Sequence, residues 1–318
     1  MKTQTSYLGI DVSKRKLHLG STHKFMGEFE NNIVGHQKLI QCLRDMKPIS
    51  IVLEASGGYE RQVCDAMQDA GLPVTVAQPG CVKNYAKSIK VLAKTDKIDA
   101  QTIARFAEAT KPAPTLKTPE NLRKFRALCD RRSQIVEDRV RENNRLETCA
   151  DREIAQQIQA NVQRLQEMET LLEQQIHDMI RSDESLQRKE QAMTRQTGVG
   201  AKTANALLAH LPELGTLSRQ QVASIAGLAP HPRESGSWKG KRRIYGGRSA
   251  VRTAMYMAAK TAARYCPVIR EFYLRLRAKG KSYKSAIIAC ARKMLVRLNT
   301  VLKELNQGFP APNGTQTT

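Results

Sequence analysis

The first thirty residues alternate apolar and polar positions in three short bursts, "TSYLGIDVS", "KLHLGSTH" and "KFMGEFEN". Alternation with a period of two predicts three consecutive strands joined as hairpins. In "GHQKLIQCLRDMK" the period changes, and Leu39, Cys42, Leu43 and Met46 recur at helical spacing. "ISIVLEAS" is a short buried strand ending at Glu54, and "YERQVCDAMQDAG" a helix stopped by Gly71. "PVTVAQP" is again strand-like, and "TDKIDAQTIARFAEAT" closes the segment as a helix with Thr95 or Asp96 as its N-cap. Three strands followed by alternating helices and strands predict a mixed α/β sheet with helices packed on it.

"KPAPTLKTPE" (111–120), with three prolines, marks a boundary. Beyond it Ile158, Val162, Leu165, Met168, Leu172, Ile176 and Met179 form one apolar stripe in a region of high helix propensity. Residues 113–192 therefore read as a long helical hairpin or coiled coil, a spacer or a contact between protomers. Residues 193–304 read as mainly helical. They open with a Gly198-Val199-Gly200 turn that resembles a helix–hairpin–helix, whose turn amides and following helix hold a phosphate; Gly198, Gly200 and Lys202 are the candidate contacts. A short helix, a Gly/Ser/basic loop, a helix from about Ser249 and a last amphipathic helix, "SYKSAIIACARKMLVRLNTVLK", follow. The tail, 305–318, reads as disordered.

Charge sharpens this division. Of a net +22, residues 191–318 hold +18, with 22 basic and only four acidic side chains, whereas residues 1–110 hold +4 and 111–190 none. A field so localised suits a polyanion, whose counterions are released on binding. No apolar run approaches the ~18 residues of a membrane span, and "MKTQTSYLGIDV" lacks the features of a signal peptide. A soluble, cytoplasmic protein is expected, with no membrane partner. The seven cysteines are odd in number, scattered and without a CxxC pair, which argues against a disulfide framework or a zinc site.

The acids supply the candidate chemistry. Asp11 lies inside an apolar strand, where a buried unpaired carboxylate is costly. Glu54 ends another strand, and Asp96 and Asp99 share one helical face. Four converging carboxylates need a cation, and an all-oxygen set favours Mg²⁺ or Mn²⁺. Taken alone, Asp96 and Asp99 read equally well as a cap and a first-turn acid.

"GIDVSK", "LEASGGYE" and "KTDKIDA" resemble the three acidic blocks of the DEDD transposases, insertion-sequence recombinases related to the Piv DNA invertase. "TGVGAKTANALLA" and "IAGLAPHPRESGSWKGKRRIYGGRSAVRTAMYMAA" resemble that family's C-terminal domain, in the family's order. The resemblance implies an RNase H-like (RuvC-like) domain over 1–112, with Asp11, Glu54, Asp96 and Asp99 as its metal-binding tetrad. It implies a serine nucleophile at Ser235, with Ser237 and Ser249 in the same basic stretch. It further implies action on donor and target DNA as a homo-oligomer (dimer or tetramer), in some members with an element-encoded noncoding guide RNA. Lys239, Lys241, Arg242, Arg243, Arg248 and Arg252 are the candidate phosphate contacts around the serine. Two rivals stand beside this reading: a RuvC-like structure-specific nuclease that activates water, and a catalytically silent DNA- or RNA-binding protein.

Overall fold

The computed structural model describes residues 7–91, 95–232, 234–235, 238–240 and 242–308. The chain divides into two compact units, Met1–Thr118 and Pro119–Thr318.

In the first unit, β1 (Tyr7–Val12), β2 (Lys16–Ser21) and β3 (Phe25–Glu30) form the expected antiparallel meander. β4 (Ser50–Glu54) adds to β1 and β5 (Val74–Ala77) to β4, both parallel, giving the order β3-β2-β1-β4-β5. A parallel addition needs a crossover, supplied by α1 (Ile33–Met46) before β4 and α2 (Arg61–Asp69) before β5. Asn32 caps α1 by accepting from the Gly35 amide at 2.9 Å.

The pleat sorts the side chains. Leu8, Ile10, Val12, Leu17, Leu19, Ile51 and Leu53 pack with Leu39, Leu43, Val63 and Met67 of α1 and α2. On the alternate positions Val52 packs with Ile103, Phe106 and Ala107 of α4 (Asp96–Thr110) and Val82 of α3 (Pro79–Ser88). The sequence reading left α3 unassigned; Pro79 at its first turn supplies the helical φ while giving up only an amide that has no helical partner.

Gly9 and Gly20 sit opposite each other on β1 and β2, on the α4 side. A Cβ on Gly9 would lie 2.2 Å from the Ala100 carbonyl oxygen and 2.4 Å from the Ala104 nitrogen; one on Gly20 would lie 2.9 Å from the Ala100 carbonyl carbon. The backbone of α4 therefore rests directly on the strands.

The second unit is helical. α5 (Glu120–Thr148) and α6 (Arg152–Ser182) form the expected long hairpin, followed by α7 (Glu184–Thr194), α8 (Ala201–His210) and α9 (Arg219–Ile225). Arg132 reaches Glu169 (2.8 Å) and Glu173, and Arg139 reaches Glu169 (3.1 Å), across the hairpin. Along the α6 stripe Val162 and Ile176 are buried and Met168 is exposed. Phe125, Cys129, Ile176 and Ile180 join the main core of this unit, so the hairpin is rooted in it rather than standing apart.

That core is completed by α10 (Ser249–Tyr265), α11 (Pro267–Ala278) and α12 (Tyr283–Gly308). Because α12 runs to Gly308, the first residues of the expected disordered tail are helical; residues 309–318 lie outside the described residues. Among its described residues, the expected Gly/Ser/basic loop holds four two-residue strands: β6 (Pro230–His231) pairs with β9 (Arg243–Ile244), and within them β7 (Glu234–Ser235) pairs with β8 (Trp238–Lys239). Among the described residues, no helix is long and apolar enough to cross a membrane.

Candidate functional site

The packing of α4 decides where the acids meet. Asp11 is two residues beyond Gly9 on β1, and its antiparallel neighbour on β2 is His18, two residues from Gly20. Period two puts Asp11 and His18 on the face that α4 covers. Glu54 is two beyond Val52, on that same face; in the parallel pair Leu53 lies beside Ile10, which brings Glu54 to the end of β4 next to Asp11. Thr95 is the N-cap of α4, accepting from the Ile98 amide at 3.3 Å. Asp96 and Asp99 then fall in the first turn, at the end of the helix laid over Asp11 and His18. The close approach permitted by the glycines thus brings Asp96 and Asp99 to Asp11, while Glu54 ends the neighbouring strand on the same face.

Asp11, His18 and Asp96 each offer a ligand atom, and these lie within 4.8 Å of one another. His18 is buried; its Nε2 is 3.1 Å from Glu28 Oε2 and 3.8 Å from Asp96 Oδ2. Its Nδ1 is buried without a hydrogen-bond partner among the described residues. Burial raises the Asp11 carboxyl above its ordinary value, and the Asp99 and Asp96 carboxylates raise it further, against a smaller opposing effect of His18. A half-buried carboxyl held up by burial and by neighbouring carboxylates is one that a divalent cation would relieve, so these residues fit a metal. His18 was missed by sequence reasoning. The available signal was a histidine at an alternating position of an apolar strand, opposite the acid of the neighbouring strand.

Glu60, also missed, organises the turn after Glu54. Its carboxylate accepts from the Ser56 amide (2.9 Å), the Ser56 hydroxyl (3.0 Å) and the Gly58 amide (2.8 Å). Burial raises its pKa, but these hydrogen bonds outweigh burial and hold it below the usual range. Gly57 and Gly58, with φ of 75° and 115°, give the turn the left-handed backbone it requires.

Ser235 lies in the second unit as the last residue of β7, across from Trp238 on β8. The excursion that carries it is closed at its neck, where Gly227 and Gly247 are in backbone contact: a Cβ on Gly247 would stand 2.2 Å from the Gly227 nitrogen. The Arg248 amide donates to the Ile225 carbonyl at 2.8 Å across the same neck.

The candidate phosphate contacts separate into two groups. Lys202 pairs with Glu173 at 2.6 Å, and Arg248 makes two 2.7 Å hydrogen bonds to Glu213 and one of 2.9 Å to the His210 carbonyl. Arg252 donates to the Gly246 carbonyl at 2.6 Å. These three cations have partners within the chain, although Lys202 stays exposed. Arg242 is exposed just before β9 and Arg243 is exposed at its start, Lys239 lies on β8, and Lys241 is outside the described residues. Gly198 has a φ of 93° and packs against α10, where a Cβ would meet the Ala258 carbonyl oxygen at 2.7 Å; Gly200 is the N-cap of α8.

Two family models match the chain. The DEDD transposase model of the IS110 type, described as "Transposase", covers residues 8–154, and that of the "Transposase IS116/IS110/IS902 family" covers residues 190–274. The chain belongs to the IS110 family of DEDD transposases. Among its curated relatives, the pilin gene-inverting protein of Moraxella lacunata is 27% identical over 311 residues, spanning 94% of this chain and 96% of that protein. Its counterpart in Moraxella bovis matches to the same extent. A 43.6 kDa protein of insertion element IS110 in Streptomyces coelicolor is 34% identical over 115 residues, 35% of this chain and 28% of that protein. The first model includes Asp11, Glu54, Asp96 and Asp99, and the second includes Ser235. An insertion-sequence transposase acting on DNA is thereby established as the class of this protein.

Proposed function

We propose that this transposase cuts and rejoins DNA with a metal-holding tetrad, Asp11, Glu54, Asp96 and Asp99, and with Ser235 as its nucleophile. The observation that carries the reading is the grouping of Asp11 with His18 and Asp96 beneath the first turn of α4, where burial and then the Asp99 and Asp96 carboxylates raise the Asp11 carboxyl, with Glu54 ending the neighbouring strand. The sheet order, a three-strand meander extended by two parallel strands, supports an RNase H-like (RuvC-like) assignment for the first unit.

A divalent ion held by the four carboxylates, Mg²⁺ or Mn²⁺, would supply charge stabilisation at the scissile phosphate. Ser235 loses its hydroxyl proton, its oxygen bonds to phosphorus, and one P–O bond of the backbone breaks, leaving a free hydroxyl end. The phosphodiester energy is kept in the serine ester, so a new DNA hydroxyl can displace the serine without ATP. That economy suits recombination, and the long relatives named for gene inversion favour it over simple nucleolysis. Exposed Arg242 and Arg243, with Lys239 and Lys241, would hold phosphates near the serine. An element-encoded guide RNA and assembly as a dimer or tetramer through the α5–α6 hairpin belong to the same proposal.

The test is a nicking and religation assay on the element's DNA ends. Wild-type protein should form a covalent protein–DNA adduct, mapped to Ser235, that requires Mg²⁺ or Mn²⁺. Ser235→Ala should bind DNA and form no adduct. Cleavage by Ser235→Ala at the wild-type rate, leaving free ends, would mean that water is the nucleophile and would hand the case to the nuclease reading.

A further inference from the structure

A second basic feature lies away from the serine excursion, in a cleft of about 470 Å³ between α9, α11 and α12. Phe272, Ala289 and Val296 make its apolar floor, and Arg219, Arg292 and Lys293 its charged wall. Lys293 Nζ stands 4.7 Å over the Phe272 ring and Arg275 Cζ 5.4 Å over it. The lining contains no acid, and none of these four cations has an ion pair among the described residues. Lys202 and Arg248, by contrast, are neutralised by Glu173 and Glu213.

Unneutralised cations concentrated in a concave site repel one another, and a fold keeps such an arrangement at a cost unless an anion completes it. The aromatic ring holds two of the cations over its face by cation–π attraction, which reduces the freedom they would lose on binding. With its face so covered, Phe272 is placed to orient cations rather than to stack a base. The volume falls in the range of roughly 300–1,000 Å³ that holds a small ligand or one unit of a polymer.

We propose that this cleft seats the phosphodiester backbone of a nucleic acid, with Arg219, Arg292 and Lys293 contacting phosphates and Phe272 positioning Lys293 and Arg275. The proposal rests on the reading of the second unit as a nucleic-acid-binding surface and assigns it residues outside the serine excursion. Duplex DNA and single-stranded RNA present the same chemistry, so the experiment carries an arm for each. A phosphate seat carries no base readout, so its loss weakens binding uniformly across sequences.

The full chain is titrated into fluorescent duplex DNA and into single-stranded RNA over a series of NaCl concentrations. Arg219→Gln/Arg292→Gln/Lys293→Gln should flatten the log–log salt dependence by about 0.9 per lost contact on duplex DNA, or about 0.7 on a single strand. Lys303→Gln, on α12 but outside the cleft, should keep the wild-type slope. Phe272→Leu, with every charge retained, should weaken binding by about two- to fivefold. Should the triple variant melt early, Arg292→Gln and Lys293→Gln singly carry the test, each expected to lose one step of slope. A loss confined to DNA or to RNA supports the seat and names its occupant. Wild-type slope and affinity on both, in a folded triple variant, would overturn the cleft alone. Absence of salt-dependent binding by the wild-type chain would overturn the nucleic-acid reading beneath it as well.

Discussion

Replacing Gly9 by alanine tests whether the fold sets the geometry of the acids. The added methyl would sit 2.2 Å from the Ala100 carbonyl oxygen, 2.4 Å from the Ala104 nitrogen and 2.9 Å from the Ile103 carbonyl carbon, all backbone atoms of α4. No side chain can turn away to make room. A tolerable C···O separation is roughly 3.3 Å, so the helix and β1 must part by about 1 Å. Overpacking of that kind costs about 1–3 kcal/mol. Asp96 and Asp99 travel with α4, whereas Asp11 stays on β1, and a misplacement of about 1 Å at a reacting centre can lower the rate by about a hundredfold. Gly80→Ala is the matched control: it lies in the first turn of α3, and a Cβ there meets nothing within 4 Å. It should leave activity intact and raise stability by up to about 1 kcal/mol. Thermal melts and metal-dependent DNA cleavage, measured side by side, decide the matter. Wild-type stability and wild-type cleavage in Gly9→Ala would refute the claim that contact between α4 and the strands fixes the site.

Two further outcomes follow from the electrostatics. The Arg248 guanidinium beside Glu213 holds that carboxyl below its ordinary value, so the pair's contribution is present above the unfolded carboxyl's pKa of about 4.5 and is lost as pH falls through the lower folded value. Glu213→Gln should remove about 1 kcal/mol at neutral pH, limited by partial exposure, and flatten the acid limb of the stability profile; an unchanged acid limb would contradict the pairing. At the acid cluster, His18→Gln should weaken Mn²⁺ binding more than Mg²⁺ binding, because it removes the nitrogen donor. Titration of the metal-free protein followed by Mn²⁺ resonance reads this directly, and equal losses for the two ions would exclude His18 from the site.

Most of the first unit was legible because β1 to β3 alternate, β4 and β5 are short apolar runs, and α1, α2 and α4 show helical spacing, whereas α3 lacks such a signal. Asp11 stood out since an acid in "LGIDV" breaks the apolar run. His18 did not, because a histidine inside "KLHLGS" is acceptable in any half-polar strand; its partner appears only when β1 and β2 are set in register. The role of Gly9 and Gly20 was hidden for a related reason, since the contact that excludes a methyl comes from a helix about ninety residues further along the chain. Lys202 and Arg248 show what the sequence does not display, the acids that folding sets beside a cation. The sequence places Lys202 with the Gly198–Gly200 turn and Arg248 with the loop cations, and tertiary packing brings Glu173 and Glu213 to them. Charge counted along a chain reports the sum over a surface; which cations remain unsatisfied is decided by folding.

The crossing of Gly227 and Gly247 has a mechanical consequence for the hairpin above it. With both stems pinned and β6 bonded to β9, the excursion behaves as a tether of fixed length. From His231, the last residue of β6, to Ser235 a fully extended chain spans at most about 14 Å. The backbone at Ser235 therefore stays within that distance of the β6–β9 pair. Under the proposed chemistry, DNA would have to be carried to Ser235 by the surfaces that grip it, and positioning of the nucleic acid, rather than travel of the loop, would set which phosphate is within reach.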